Sequence, residues 1–167
     1  MAAPASEIRL RVAAVLPYDG RIVLVRHRKG DAVYHLLPGG GVEVGESVGD
    51  ALVREVREET GLIARAVRPL FISDAIAPDG SGHMVQLTFL AEVTGGELTA
   101  LPADPRVEAV DLAVPDDLGA YDLRPPMGEA LRLAAENGYS GEARYLGSLW
   151  SDGHGVPEAE DAPGTTG

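Results

Sequence analysis

A chain of 167 residues that is 45% hydrophobic can close one core of ordinary size, so one compact domain is expected and two are not. Against 14 basic residues stand 26 acidic ones, and the formal net charge of −12 opposes nonspecific nucleic-acid binding, which needs a basic face to neutralise phosphates. The absence of cysteine removes disulfides and thiolate metal sites and fits a reducing compartment.

The opening MAAPASEIRL has no basic segment followed by an apolar run, and no stretch reaches the roughly 18 apolar residues of a membrane span. A soluble, cytoplasmic protein with no membrane partner is therefore expected. Residues 7–16, EIRLRVAAVL, alternate and then become continuously apolar, as a strand does on entering a core. Tyr18-Asp19-Gly20 signals a turn, and Arg21–Arg28 reads as a second strand, paired with the first as a hairpin. Arg26, Arg28 and Lys29 at its end are placed to meet a phosphate. Next comes Leu37-Pro38-Gly39-Gly40-Gly41, a turn whose main chain can approach a ligand or ion closely. Ser47 is a candidate N-cap, Val48, Ala51, Leu52 and Val56 recur at helical spacing, and Gly61 suits a left-handed cap, which predicts a helix over about 48–60.

Downstream, Ala64–Ala77 and His83–Val93 flank Pro78-Asp79-Gly80-Ser81-Gly82 and predict a second hairpin. Val107–Val114 reads as a short strand, Pro125–Asn137 as a helix starting at proline and closed by Gly138, and Tyr145–Trp150 as a last strand. Residues 151–167 are acidic, rich in Gly and Pro and nearly free of apolar residues, so a domain over 1–150 followed by a flexible tail is expected. Several strands with one central and one C-terminal helix predict an α/β protein: a mixed sheet between helices, an α/β/α sandwich.

The central helix carries the chemistry. At about 100° per residue, Glu55, Glu58 and Glu59 fall within an arc of about 100°, and Val48 and Leu52 lie within about 60° of Glu55 and Glu59. The acids thus continue the apolar stripe, where an ordinary solvated face would oppose it. Like charges one turn apart repel, and negative charge at a helix C-terminus opposes the macrodipole; Arg54, one turn before Glu58, relieves only part of this. A hard divalent cation would remove the conflict, because carboxylate oxygens without thiolate or imidazole suit Mg²⁺ or Mn²⁺. The four histidines, His27, His35, His83 and His154, show no zinc-binding spacing.

Gly40, Glu46, Arg54, Glu55, Glu58, Glu59 and Gly61 together spell G-x5-E-x7-R-E-U-x-E-E-x-G-U, where U is apolar and is filled by Val56 and Leu62. This stretch resembles the Nudix box, closely from about Leu36 to Leu62, and the flanking elements look like the rest of that family's domain. The resemblance implies that Glu55 and Glu59 coordinate metal, that Glu58 coordinates metal or helps activate water, and that Arg54 orients these acids by ion pairing. It further implies a main-chain ligand from the Gly39 or Gly40 carbonyl and a supporting role for Glu46. The implied reaction is attack of water on a pyrophosphate phosphorus, with Mg²⁺ as cofactor and Mn²⁺ as substitute. A general base is expected from a later loop, with Glu108 ranked ahead of Glu97 and Asp104.

The box specifies a pyrophosphate and not the group attached to it. Within the family a proline about sixteen residues after the box accompanies ADP-ribose hydrolysis, and Pro78 stands sixteen after Leu62. Tyr34 and Phe71 are candidate stacking platforms for a base, with core packing the stronger expectation for Phe71. The leading expectation is hydrolysis of ADP-ribose to AMP and ribose 5-phosphate, the alternative a house-cleaning nucleoside triphosphate pyrophosphatase. A non-catalytic nucleotide sensor is a third reading, disfavoured by an intact box and the lack of a basic helical module. The expected partner is a small nucleotide, and a homodimer is compatible with the sequence.

Overall fold

The computed structural model describes residues 7–99 and 105–150. The acidic segment 151–167 and Asp104 lie outside the described residues. In chain order the elements are β1 (Ile8–Val15), β2 (Pro17–Tyr18), β3 (Arg21–Lys29), β4 (Ala32–Leu36), β5 (Gly39–Gly41), α1 (Val48–Thr60), β6 (Leu62–Ile76), β7 (His83–Gly96), β8 (Val107–Ala113), a 3-10 helix (Pro115–Ala120), α2 (Gly128–Glu136) and β9 (Arg144–Ser148).

Five of these strands form a mixed sheet in the order β5-β1-β7-β6-β9, with β1 parallel to β7, β6 parallel to β9 and the other pairs antiparallel. A smaller antiparallel sheet is built around β3, which pairs β2, β4 and β8. The reason β1 lies centrally is its sequence: Val12–Leu16 is apolar at every position, and all five residues are fully buried, as a strand covered on both faces requires. Alternation then divides it between two cores. Ala13 and Val15 pack with Ile22, Leu24, Leu70, Phe71, Leu118, Met127 and Leu131 on the side of α2. Val12, Ala14 and Leu16 pack with Val23, Ala51, Leu52, Val56, Leu62 and Ala91 on the side of α1. The mixed sheet between helical layers is the architecture the element pattern predicts.

Three local expectations are corrected. The first hairpin shrinks to Pro17–Tyr18 against Arg21–Ile22, because β1 is claimed by β5 and β7 and the chain changes sheets at Pro17, which has no N–H for a ladder. The C-terminal helix begins at Gly128, three residues after Pro125, since a residue that precedes a proline, as Pro125 precedes Pro126, is kept out of helical geometry. The glycine run after Pro38 is a short strand, β5, held against β1 with Gly40 opposite Val12. The β6–β7 hairpin closes around the predicted turn, with Ala77 N donating to Gly82 O at 2.9 Å.

Candidate active site

Helix α1 begins and ends where its sequence signals place it. Ser47 Oγ accepts from Asp50 N at 3.1 Å, and Gly61 is left-handed with φ 77°, its N–H donating to Arg57 O at 3.0 Å. The acids follow the apolar stripe into the protein: Leu52 and Val56 are fully buried, Glu59 is 7% exposed, and the Glu55 side chain is 15% exposed. Glu58, on the outer margin, stays 46% exposed.

Arg54 ties the helix to the loop. Its Nε and Nη2 donate to the two carboxylate oxygens of Glu46 at 2.8 and 3.0 Å, a fork that fixes the guanidinium plane. From that position Nη1 donates to Glu55 at 2.8 Å and reaches Glu58 at 3.5 Å, while Nη2 also donates to the Gly41 carbonyl at 3.1 Å. The expected one-turn pair with Glu58 is therefore the longest of its contacts, and Glu46, eight residues away, is the main partner. These hydrogen bonds raise the Arg54 pKa above an already high value, the Glu46 fork contributing most.

Gly40 lies directly on the Glu55 carboxylate. A Cβ at this position would fall 2.3 Å from the Glu55 carboxyl carbon, so any larger residue must push that carboxylate aside. Burial pushes the Glu55 carboxyl above its ordinary 4.5, and the Arg54 hydrogen bond only partly offsets this. Glu59 accepts from the Gly39 amide at 2.8 Å.

One participant, Arg11, has no motif to mark it. Arg11, on β1 and 8% exposed, donates from Nη1 to Gly39 O at 3.2 Å, from Nη2 to Leu37 O at 3.0 Å and from Nε to Gln86 at 3.1 Å. Burial lowers its pKa, opposed by attraction to Glu59 and Glu55. Its sole signal in the sequence is a charge just before the continuous apolar run, which ordinary strand alternation also produces.

Four of the remaining candidates, Arg26, Arg28, Tyr34 and Glu108, lie on the small sheet. At a β-bulge between β3 and β8, Arg26 pairs with Ala109 and His27 with Val107, which leaves Glu108 as the extra residue. Arg28 Nε donates to Glu108 at 2.8 Å and Arg26 Nε lies 3.3 Å from it, and the Arg28 bond holds the Glu108 carboxyl below its ordinary range. Asp111, three residues farther along β8, lies 2.9 Å from His35 Nε2. Thus Arg26, Arg28 and Glu108 are brought together, as ion pairs. Tyr34 has the Arg124 guanidinium 3.9 Å from its ring centre and His27 at 5.5 Å. Phe71 is in the core, 3% exposed, and Pro78 is exposed in its turn. Glu97 is exposed just past β7, its carbonyl beside Gly61.

Among the described residues no group of three or more His, Asp or Glu side chains is gathered into a cage. The box acids are instead held separately, Glu55 and Glu58 by Arg54 and Glu59 by the Gly39 amide. Their chemistry nevertheless fits a hard divalent cation: carboxylate and carbonyl oxygens only, with one carboxylate buried enough for its charge to be disfavoured.

The NUDIX domain family profile matches residues 8–134. An ADP-ribose pyrophosphatase from Methanocaldococcus jannaschii is 36% identical over 102 residues, which is 60% of this chain and 60% of that protein's length. A nucleoside triphosphatase NudI from Escherichia fergusonii is 33% identical over 139 residues, covering 75% of this chain and 95% of that one. Among solved structures, a MutT NUDIX hydrolase from Burkholderia pseudomallei superposes with a TM-score of 0.61 at 33% identity, covering 78% of this chain and 98% of that one. An ADP-ribose pyrophosphatase from Streptococcus suis gives a TM-score of 0.64 at 27% identity, covering 85% of this chain and all of that one. With an unbroken box and a family match that spans residues 8–134, the chain belongs to the Nudix family of pyrophosphohydrolases.

Proposed function

We propose that the protein hydrolyses the pyrophosphate bond of ADP-ribose, releasing AMP and ribose 5-phosphate, with Mg²⁺ as cofactor. The carrying observation is the joint made by Arg54 and Gly40, which brings Glu46, Glu55, Glu58 and the glycine strand into one charged surface. Glu55, Glu58, Glu59 and the Gly40 carbonyl are the groups that would hold the cation. When bound, it supplies the charge that offsets the pyrophosphate oxygens and the acidity that makes water a nucleophile at neutral pH.

The chain's own residues supply orientation and proton transfer. Arg54 fixes the direction of Glu55 and restrains Glu58. Arg26 and Arg28 offer guanidinium donors to phosphate oxygens, and Glu108 lies between them as the candidate base, its basicity reduced for as long as Arg28 holds it. Tyr34, under Arg124, gives the substrate's adenine a ring edge and a cation to pack against. The choice of ADP-ribose is supported by two relatives named as ADP-ribose pyrophosphatases and by Pro78, sixteen residues past Leu62.

The NudI match favours a second reading, nucleoside triphosphate hydrolysis to a monophosphate and pyrophosphate, since it spans more of both chains. One assay separates the two. The purified protein is incubated with Mg²⁺ and, separately, ADP-ribose, other ADP-sugars, dinucleoside polyphosphates and nucleoside triphosphates, and the products are identified. AMP and ribose 5-phosphate as the fastest products support the first reading; pyrophosphate release from triphosphates with ADP-ribose untouched replaces it with the second.

A further inference from the structure

We propose that Arg11 is a positioning residue for Glu59, acting through the main chain of the glycine strand; this rests on Glu59 being a cation ligand. Three successive peptide units carry the argument. The Pro38–Gly39 unit sends its N–H to Glu59 Oε2 at 2.8 Å and its carbonyl accepts from Ala14 N of β1 at 2.8 Å. The carbonyls of the units on either side, Leu37 O and Gly39 O, are both held by the Arg11 guanidinium, at 3.0 and 3.2 Å. The N–H that faces Glu59 thus belongs to a peptide pinned at itself and at both neighbours. Close contact removes further freedom, because a Cβ on Gly39 would lie 2.1 Å from Val12 O.

Only a guanidinium meets this geometry. Its planar fork sends Nη1 and Nη2 to two carbonyls while Nε is held by Gln86 Oε1 at 3.1 Å, and Gln86 is held in turn through Thr88 Oγ1 at 3.1 Å. Lysine has the charge without the fork. An apolar residue would leave two buried carbonyls unpaired. A buried cation is costly to keep, and the carboxylates of Glu59 and Glu55 are the charges that offset that cost. The arrangement matches an outer group that orients an ion-binding carboxylate through one intermediate bond.

The test is calorimetric titration of Mn²⁺ into the metal-free protein and into Arg11→Lys and Gln86→Met, each checked for folding by circular dichroism. The expected result is Mn²⁺ affinity about tenfold to a hundredfold weaker in folded Arg11→Lys. A smaller loss is expected in Gln86→Met, with a displaced Gly39 amide resonance in both variants. Turnover should fall through kcat more than through KM. Folded Arg11→Lys with unchanged Mn²⁺ affinity overturns the proposal and leaves the functional reading standing. Should Arg11→Lys not fold, Gln86→Met decides in the same way. An unsubstituted protein that takes up no Mn²⁺ would overturn the proposal and the ligand role of Glu59 together.

Discussion

Glu55 and Glu108 are carboxylates with opposite surroundings, and their pH behaviour should differ in sign. Burial raises the Glu55 pKa, so its ionised form costs stability above the folded value, and that cost disappears as the pH falls below the unfolded one. Glu55→Gln should therefore raise the melting temperature of the metal-free protein at neutral pH, by an amount that shrinks on acidification, while lowering turnover by orders of magnitude. A melting curve and a rate at two pH values check both halves. Arg28 lowers the Glu108 pKa, so its contribution is complete above the unfolded value and is lost as the pH falls from 4.5 through the folded one. The melting-temperature gap between wild type and Glu108→Gln should close over that lower window. Glu59→Gln should also abolish most activity with the fold intact, because the amide can still accept from Gly39. At this scale the box acids were legible as a pattern, and Arg11 was not. A cation in a strand reads as surface until the fold reveals that the Leu37 and Gly39 carbonyls lie above it.

Helix α1 is the element whose boundaries sequence alone fixed best, because both ends are signalled locally: a serine that caps and a glycine that turns left. Ser47→Ala should cost about 1 kcal/mol of stability, read in a urea melt, since it leaves the Asp50 amide without its acceptor. Gly40→Ala tests the joint between strand and helix. Its Cβ must displace the Glu55 carboxylate, so the variant should lose most of its activity while keeping its fold, and near-wild-type turnover would show that this contact does not set the site. Strand β5 was read as a turn because glycine has little strand propensity; it forms through pairing with β1, a partner about thirty residues upstream in the chain. The start of α2 was misplaced for a local reason, the second of two prolines, which restricts the residue before it.

At the scale of the molecule, β1 is common to both cores, feeding odd residues to one and even residues to the other. The two layers should therefore unfold together. Leu52→Ala, on the α1 side, and Leu131→Ala, on the α2 side, should each cost about 2–5 kcal/mol and leave a single transition by far-UV circular dichroism. Two separated transitions in either variant would show that the layers are independent. No helix among the described residues is long and apolar enough to cross a membrane.

By itself the sequence determined the helix with its caps, the β6–β7 hairpin, the sandwich of layers and the spacing of the box. Each of these depends on residues close together in the chain or on a period the chain repeats. Tertiary structure alone decided that β1 would leave β3 for β7, that Arg54 would favour Glu46 over Glu58, that Glu108 would stand between two arginines, and that Arg11 would lie beneath the glycine strand. Those outcomes are pairings between distant segments, settled by which donors and acceptors must be satisfied once water has been excluded.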